Sequence, residues 1–295
     1  MPNNAEISSA PLPITGQTAL YGLVAHPAHH SLSPMIHNYG FKVQQIAARY
    51  MAFDSQASAA EIATSIRALN IRGLNLSLPY KETMVPLMSE LTANAQLIGA
   101  INTVKNDHGH LIGTNTDGLG LVAALTAAQV NLATQQVILL GGGATARAIL
   151  LALVEAGCSQ ITVIQRANSQ HYQQMQALLA QLQLPQVICQ PWSALTNLAK
   201  TNVTLVVNAT SIGFGQQQGH SPLTANWLSC LATSCQVWDV IYQPRQSALL
   251  ILAAARGLTT HNGLAMLCYQ AAASFEFWTG QVFPVPPIYQ LIKQK

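Results

Sequence analysis

The chain has 295 residues, enough for one large or two medium domains, and half of them are hydrophobic, so a substantial core is available. Only 8% are charged, against a globular norm of roughly 25%, and the net charge of +3 is not gathered into a basic run. That balance argues against nucleic-acid or membrane-surface binding. The most apolar segment, Ala144 to Gly157, is interrupted by Arg147 and Glu155 and is too short to span a bilayer.

Residues 1–17 are polar and contain prolines, and read as a disordered extension. No Lys or Arg precedes Lys42, so no positively charged leader is expected, and the cytoplasm is the default location. Ala19–Ala25 reads as a strand. Ser33 to about Ile46 reads as a helix with Pro34 in its first turn, where a missing N–H costs little. A short strand at Tyr50–Phe53, a helix at Ala59–Leu69 and strands at Gly73–Leu78 and Ala100–Val104 follow. This alternation predicts an α/β unit with a mostly parallel sheet.

The pattern restarts at Asp117. A helix from Gly120 to Gln129 leads to the apolar strand Val137–Leu140, a glycine loop, a helix from Thr145 to Ala156 and the strand Ile161–Ile164. A helix at Ser169–Leu182 and strands near Val187, Val203–Val207 and Val237–Ile241 complete the series. Buried Val/Ile/Leu strands alternating with helices fit a doubly wound nucleotide domain. The helix Leu264–Trp278 and the tail after Pro287 lack a following strand and are expected to return to the first domain. The implied division is a substrate domain over 18–116 with 263–295, and a nucleotide domain over 117–262.

Cys158, Cys189, Cys230, Cys235 and Cys268 form an odd set without metal-ligand spacing, which suits inert thiols better than disulfides or zinc. His26, His29, His30 and His37 crowd one stretch, but no Cys, Asp or Glu stands beside them in sequence to complete a metal site. No metal is expected.

Gly141-Gly-Gly-Ala-Thr-Ala146 sits between a strand and a helix, the context in which such a loop binds a dinucleotide. Glycines there allow tight turning and close approach to a pyrophosphate, which the helix N-terminus favours. A tight turn without a ligand is the alternative. NAD sites carry an acidic residue about twenty positions on. Here no Asp or Glu occurs between Glu155 and Asp239, and the second strand ends at Gln165-Arg166. A guanidinium there can pair with a 2′-phosphate, so NADP is favoured and NAD stays open.

Two charges stand in otherwise neutral runs rich in amides and hydroxyls. Lys81 closes Gly73-Leu-Asn-Leu-Ser-Leu-Pro-Tyr-Lys81, and Asp117 lies in Gly113-Thr-Asn-Thr-Asp-Gly118. They read as a proton-handling pair, with a structural salt bridge as the alternative. Four further polar runs share this character: Ser31-Leu-Ser-Pro34, Gly99-Ala-Ile-Asn-Thr103, Asn208-Ala-Thr-Ser-Ile-Gly213, and Asp239-Val-Ile-Tyr242 with Gly263-Leu-Ala-Met266 and Gln270.

In order and spacing this set resembles the shikimate dehydrogenase family, from Tyr21 to about Gly280. The resemblance implies an α/β fold of two domains, a substrate domain and a Rossmann-like dinucleotide domain. It implies an NADP-dependent oxidoreductase that reduces 3-dehydroshikimate to shikimate on the route to chorismate and the aromatic amino acids. By position, Ser31 and Ser33 match hydroxyls that hold the substrate carboxylate, assisted by Tyr242. Asn75, Ser77, Asn102 and Gln270 match groups that bind ring hydroxyls. Lys81 and Asp117 match the catalytic pair, and which of them passes the proton is open. Gly141, Gly142, Gly143, Ala144, Thr145, Gln165, Arg166, Thr210, Gly263 and Met266 match the cofactor contacts. The partners implied are this small substrate and at most a second copy of the chain.

The chain departs from the family pattern in places. Ser77 replaces a Thr, Ala144 and Ala265 each replace a Gly, and Gln165 and Ala167 replace the Asn and Thr around Arg166. Gln170 stands where a second Arg often clamps the 2′-phosphate. Competing readings are a quinate/shikimate dehydrogenase with relaxed cofactor use, another two-domain oxidoreductase such as a methylene-tetrahydrofolate dehydrogenase, and a catalytically silent nucleotide-binding regulator.

Overall fold

A computed structural model describes residues 13–294, apart from 159, 186 and 199. The first twelve residues of the expected extension lie outside the described residues. The described chain divides into two compact units, one holding the residues up to Thr116 and from Gln270 onward, the other Asp117–Tyr269.

The first unit contains, in chain order, β1 (Ala19–Ala25), α1 (Ser33–Val43), β2 (Ala48–Asp54), α2 (Ala59–Ala68), β3 (Gly73–Leu76) and α3 (Tyr80–Thr83). There follow β4 (Glu90–Leu91), α4 (Ala93–Ile98), β5 (Thr103–Asp107) and β6 (His110–Thr114). Its sheet runs β2-β1-β3-β5-β6-β4. The pairs of β1 with β2 and β3 are parallel, as is β4 with β6, but β5 is antiparallel to both β3 and β6. Three of its five pairings are parallel, as the alternation predicts, and the antiparallel β5 is an addition that the alternation does not show. The cause is a tight hairpin: Asp107 pairs with His110, and the two residues between them, His108 and Gly109, both have positive φ, +49° and +91°. A two-residue turn of that kind reverses the chain directly and leaves no room for a crossover helix.

α2 shows why such segments become helices here. Ser58 and Glu61 form a reciprocal capping box, with Glu61 Oε2 accepting from Ser58 N–H at 2.8 Å. Ile62, Ala63 and Ile66 then fall on one face, buried against Leu74, Leu76, Val104 and Leu111. His37 of α1 is fully buried and stacks on Tyr50 at 4.3 Å. Burial lowers its pKa to about 3, against a weaker opposing effect of the Asn75 side chain, so it stays neutral. His26 bonds Asp54 at 2.6 Å, so β2 brings a carboxylate to the histidine stretch that the linear sequence does not show. No group of three potential metal ligands occurs among the described residues.

The second unit contains α5 (Asp117–Ala127), β7 (Gln136–Leu140), α6 (Ala144–Glu155), β8 (Gln160–Gln165), α7 (Gln170–Leu182), β9 (Val187–Pro191) and β10 (Leu205–Asn208). There follow α8 (Ala225–Leu228), β11 (Gln236–Asp239), α9 (Ala248–Ala254), β12 (Thr259–His261) and α10 (Leu264–Thr279). α10 passes from the second unit into the first between Tyr269 and Gln270, and α11 (Val285–Lys293) belongs to the first. In the first unit, Trp278 of α10 donates through Nε1–H to Val104 O at 2.9 Å and covers Gly73, where a Cβ would meet its indole nitrogen at 2.6 Å.

All pairings in the second sheet are parallel, in the order β12-β11-β10-β7-β8-β9. Its core combines Ile138, Leu140, Ile164, Val206 and Val237 with Trp227, Leu228, Leu249 and Leu250. No helix among the described residues is long and apolar enough to cross a membrane. α5 and α6 approach closely at Gly118, where an added Cβ would collide with the Ala148 carbonyl. Gly118→Ala should therefore destabilise the fold by about 1–3 kcal/mol, read as a lower urea midpoint at unchanged m-value.

Candidate active site

The strand order of the second sheet reverses between β7 and β10, and ligands of such sheets bind outside the carboxyl ends of the strands at that point. Leu140 and Asn208 close the β7–β10 ladder side by side. Gly141 follows with φ +112°, donates its N–H to Ile164 O at 2.8 Å, and would place a Cβ 2.9 Å from Ala209 O. Glycine is thus required where the two strand ends meet. A Cβ on Gly142 would meet both Gln165 Cγ and His171 O at 3.0 Å. Gly143 occupies the N-cap of α6.

A cleft of about 500 Å³ opens here, lined by Gly141, Gly142, Gly143, Gln165, Arg166, His171, Trp192, Ala209, Thr210, Ser211, Ile212 and Gln217. Arg166 is exposed, and its guanidinium has no hydrogen-bond partner among the described residues. Gln165 donates to Ser169 Oγ at 3.1 Å, and Ser169 caps α7. Six of the ten expected cofactor residues line this cleft. Ala144, Thr145, Gly263 and Met266 stand outside the lining. Thr145 instead donates its hydroxyl to Asp117 Oδ2 at 3.0 Å. Gly263 lies against Val240, whose carbonyl occupies the place of its missing Cβ, and Met266 is buried in the first turn of α10.

The loop carrying Thr210 is held from below. Asn208 Oδ1 accepts from Thr210 N–H at 3.1 Å and from its hydroxyl at 2.7 Å. Asn208 Nδ2 donates to Asp239 Oδ1 at 3.0 Å, and Asp239 also accepts from Ile241 N–H at 3.0 Å and Ser247 Oγ at 2.6 Å. Burial nevertheless pushes the Asp239 carboxyl up to about 6. The sequence marked this Asp only as part of a polar run. Its role depends on its pairing across strands with Asn208, which no local signal announces.

In the first unit the expected substrate residues fall into two kinds. Ser31 Oγ accepts from Ser33 N–H at 3.2 Å, a local turn that opens α1. The hydroxyls of Ser33 and Ser77 have no protein partner among the described residues, although Ser33 is buried. Asn75 and Asn102 are engaged by protein. Tyr50 donates to Asn75 Oδ1 at 2.8 Å, and Asn75 Nδ2 meets Asn102 O at 3.2 Å, with Thr103 Oγ1 and Ser274 Oγ both at 3.1 Å. Asn102 Oδ1 accepts from Thr116 N–H and from the Thr103 hydroxyl, both at 2.9 Å. Its amide nitrogen meets Gln270 Oε1 at 3.3 Å. Ser274, which sequence reasoning passed over, touches Asn75, Thr103 and Thr116 at once. Its only prior signal was a hydroxyl one turn beyond Gln270 on an apolar helix.

Lys81 lies in α3 beside this cluster. Tyr80 anchors that helix by donating to Ser55 O at 2.7 Å and Ala57 O at 2.9 Å, and Lys81 O accepts from Ile101 N–H at 2.8 Å. Asp117 opens α5 of the second unit, directly after Thr116, and Tyr242 is half-buried after β11.

A parallel sheet reversing its order under a glycine loop, with an arginine after the next strand, defines a doubly wound dinucleotide-binding α/β protein. Two family models match: the shikimate dehydrogenase substrate binding domain over residues 23–104 and the shikimate 5′-dehydrogenase C-terminal domain over 263–293. The chain is 47% identical over 282 residues to the shikimate dehydrogenase (NADP(+)) of Latilactobacillus sakei, covering 94% of this chain and 97% of that protein. Its fold is similar to shikimate 5-dehydrogenase from Listeria monocytogenes in complex with shikimate and NAD, with TM-score 0.83, 32% identity and coverage of 95% and 98%. It is also similar to the Thermus thermophilus enzyme in complex with NADP(H) and shikimate, with TM-score 0.79, 30% identity and coverage of 94% and 99%. The chain belongs to the shikimate dehydrogenase family.

Asp239 yields a test of the site's electrostatics. A carboxyl raised to about 6 favours the neutral acid in the folded state. That contribution is full below the unfolded value of about 4 and is lost as pH rises through about 6. Asp239→Asn does not titrate. Parent stability minus variant stability should fall between pH 4 and 7, by an amount on the order of 2 kcal/mol. Urea unfolding across that range checks it, and a flat difference would contradict it.

Proposed function

We propose that the protein is an NADP-dependent shikimate dehydrogenase, interconverting 3-dehydroshikimate with NADPH and shikimate with NADP on the route to the aromatic amino acids. The observation that carries this reading is the 47% identity to the NADP-dependent enzyme of L. sakei, which runs through both units. The first unit, as the family model over 23–104 supports, binds the substrate, and the second binds the cofactor. The working location is the cytoplasm.

Hydride passes from the nicotinamide to the ketone carbon, and negative charge grows on the ketone oxygen. Lys81 or Asp117 supplies the proton that completes the alcohol, and the other orients it. Ser31, Ser33 and Tyr242 hold the substrate carboxylate. The unpartnered hydroxyls of Ser33 and Ser77 support direct contact with the substrate. Asn102 and Gln270 receive ring hydroxyls, because the long 3.3 Å contact between them is easily exchanged for a ligand. Asn75, with its donors committed to Ser274, Thr103 and Asn102, shapes the pocket by fixing those neighbours. Thr145 orients Asp117, and Arg166 selects the 2′-phosphate.

The deciding experiment follows NADPH formation by its absorbance with shikimate and with quinate, each repeated with NAD. Turnover with shikimate and NADP is expected, and its absence despite cofactor binding would favour a silent regulator. Lys81→Ala should lower kcat by about 10²–10⁴-fold with little change in the shikimate KM. Arg166→Ala should raise the NADP KM roughly tenfold or more and leave NAD unaffected.

A further inference from the structure

One cleft residue has no counterpart in the cofactor set read from the sequence. His171, in the first turn of α7, lines the cleft beside Gly143, and a Cβ on Gly143 would stand 4.0 Å from its Nε2. The ring is held from behind. Arg147 of α6 is buried, and its Nη1 donates to Gly142 O at 3.1 Å and to Gln174 Oε1 at 2.8 Å. A guanidinium only donates, so the atom facing it must be the amide oxygen. That oxygen also lies 3.0 Å from His171 Nδ1, which must therefore carry the hydrogen. Nε2 is left to the cleft, without a partner among the described residues.

We propose that His171 binds the pyrophosphate of the dinucleotide through Nε2, with Arg147 and Gln174 as the residues that position it. Gly143 caps α6, where the loop amides and the helix N-terminus receive the pyrophosphate, and Nε2 stands over that place. With Nδ1–H committed to Gln174, a neutral ring presents an acceptor, which repels phosphate oxygen. To donate to the phosphate anion through Nε2, the ring must therefore carry a hydrogen on both nitrogens. The charged and titratable groups on the elements around the ring are Arg147 near the start and Glu155 at the far end of α6, Tyr172 beside the ring on α7, Arg166 after β8 and the Cys189 thiol of β9. Burial pushes that thiol up to about 11, so it stays neutral. Both NADP and NAD carry a pyrophosphate, so His171 serves affinity for either, while Arg166 alone serves the choice between them.

This inference rests on reading the cleft as a dinucleotide site, and the experiment separates the two. Calorimetric titration of the whole protein with NADP and with NAD, at about pH 8 in buffers of different ionisation enthalpy, gives affinities and proton uptake. The parent should take up a proton with either dinucleotide. His171→Ala and His171→Gln should weaken both by a similar factor, about tenfold, and abolish the uptake, with unchanged unfolding midpoints as the control for folding. Arg166→Ala should weaken NADP alone and keep the uptake. Unchanged affinity in both His171 variants, a loss confined to NADP, or uptake that persists without the imidazole would overturn the proposal while leaving the cofactor reading intact. Failure of the parent to bind either dinucleotide would overturn both.

Discussion

A buried amide or hydroxyl must find a hydrogen-bond partner, and in a chain with few charges the partner is usually another neutral group. That constraint organises both units. In the first, Ser274 joins α10 to Asn75, Thr103 and Thr116, so a helix from the end of the chain is fixed to β3, β5 and the segment after β6. In the second, Asn208 transmits the position of Asp239 to Thr210 at the edge of the cleft. A half-satisfied network of this kind would cost more than an apolar core, so each side chain's orientation is dictated by its neighbours. Among the described candidate site residues, the hydroxyls of Ser33 and Ser77 and the guanidinium of Arg166 have no protein partner.

The same accounting separates side chains bonded to protein from those that are not. Asn75 and Ser77 are two positions apart on one polar run, and the sequence treats them alike. The structure sets them differently: the Asn75 amide nitrogen meets acceptors from two segments, Asn102-Thr103 and Ser274, while among the described residues Ser77 is tied through its backbone, its N–H to Val24 O at 3.1 Å and its carbonyl to Tyr80 N–H at 2.8 Å. Thr145 is a similar case. Its place in the glycine loop suggests a cofactor contact, yet its hydroxyl is directed to Asp117.

The parts of the fold legible in sequence are those governed by local signals. The apolar run Val137–Leu140 followed by three glycines marks a strand, a tight turn and a helix start, and β7 and α6 lie there within a residue. Ser58 and Glu61 mark the start of α2 as plainly. What escaped depends on distant partners or on very short elements. β4 has two residues and β12 three, too few to show a period. The β5–β6 hairpin turns on His108, a residue with no strong turn preference, and so its antiparallel pairing passed unseen. Gly118 reads as one more small residue near a helix start, and only the packing of α5 on α6 explains why it must lack a side chain. Six cofactor candidates gather in one cleft because they sit on the ends of adjacent strands. His171 joins them from one turn into a helix, where nothing in the linear pattern distinguishes it from a solvated residue.

The distribution of charge around that cleft follows a single logic. No acidic residue occurs from position 156 to 238, and the next one, Asp239, is buried so deeply that its neutral form is favoured up to about pH 6. On the other side, Arg147 is buried at 2% exposure and bonded to the carbonyl of Gly142 and the amide of Gln174, both neutral oxygens. Neither of these two bonds cancels the charge of the guanidinium. It adds to the positive end of α6, and the exposed guanidinium of Arg166 adds a third positive source. Under the proposed function these positive sources receive the phosphates of a dinucleotide, while the Asp117 carboxylate, bonded to Thr145 in the first turn of α6, offsets part of their field. Selectivity is another matter. Under the same reading the field of Arg147 and α6 acts on any phosphate at the glycine loop, and Arg166 after β8 is the group placed to distinguish a dinucleotide that carries an additional 2′-phosphate from one that does not.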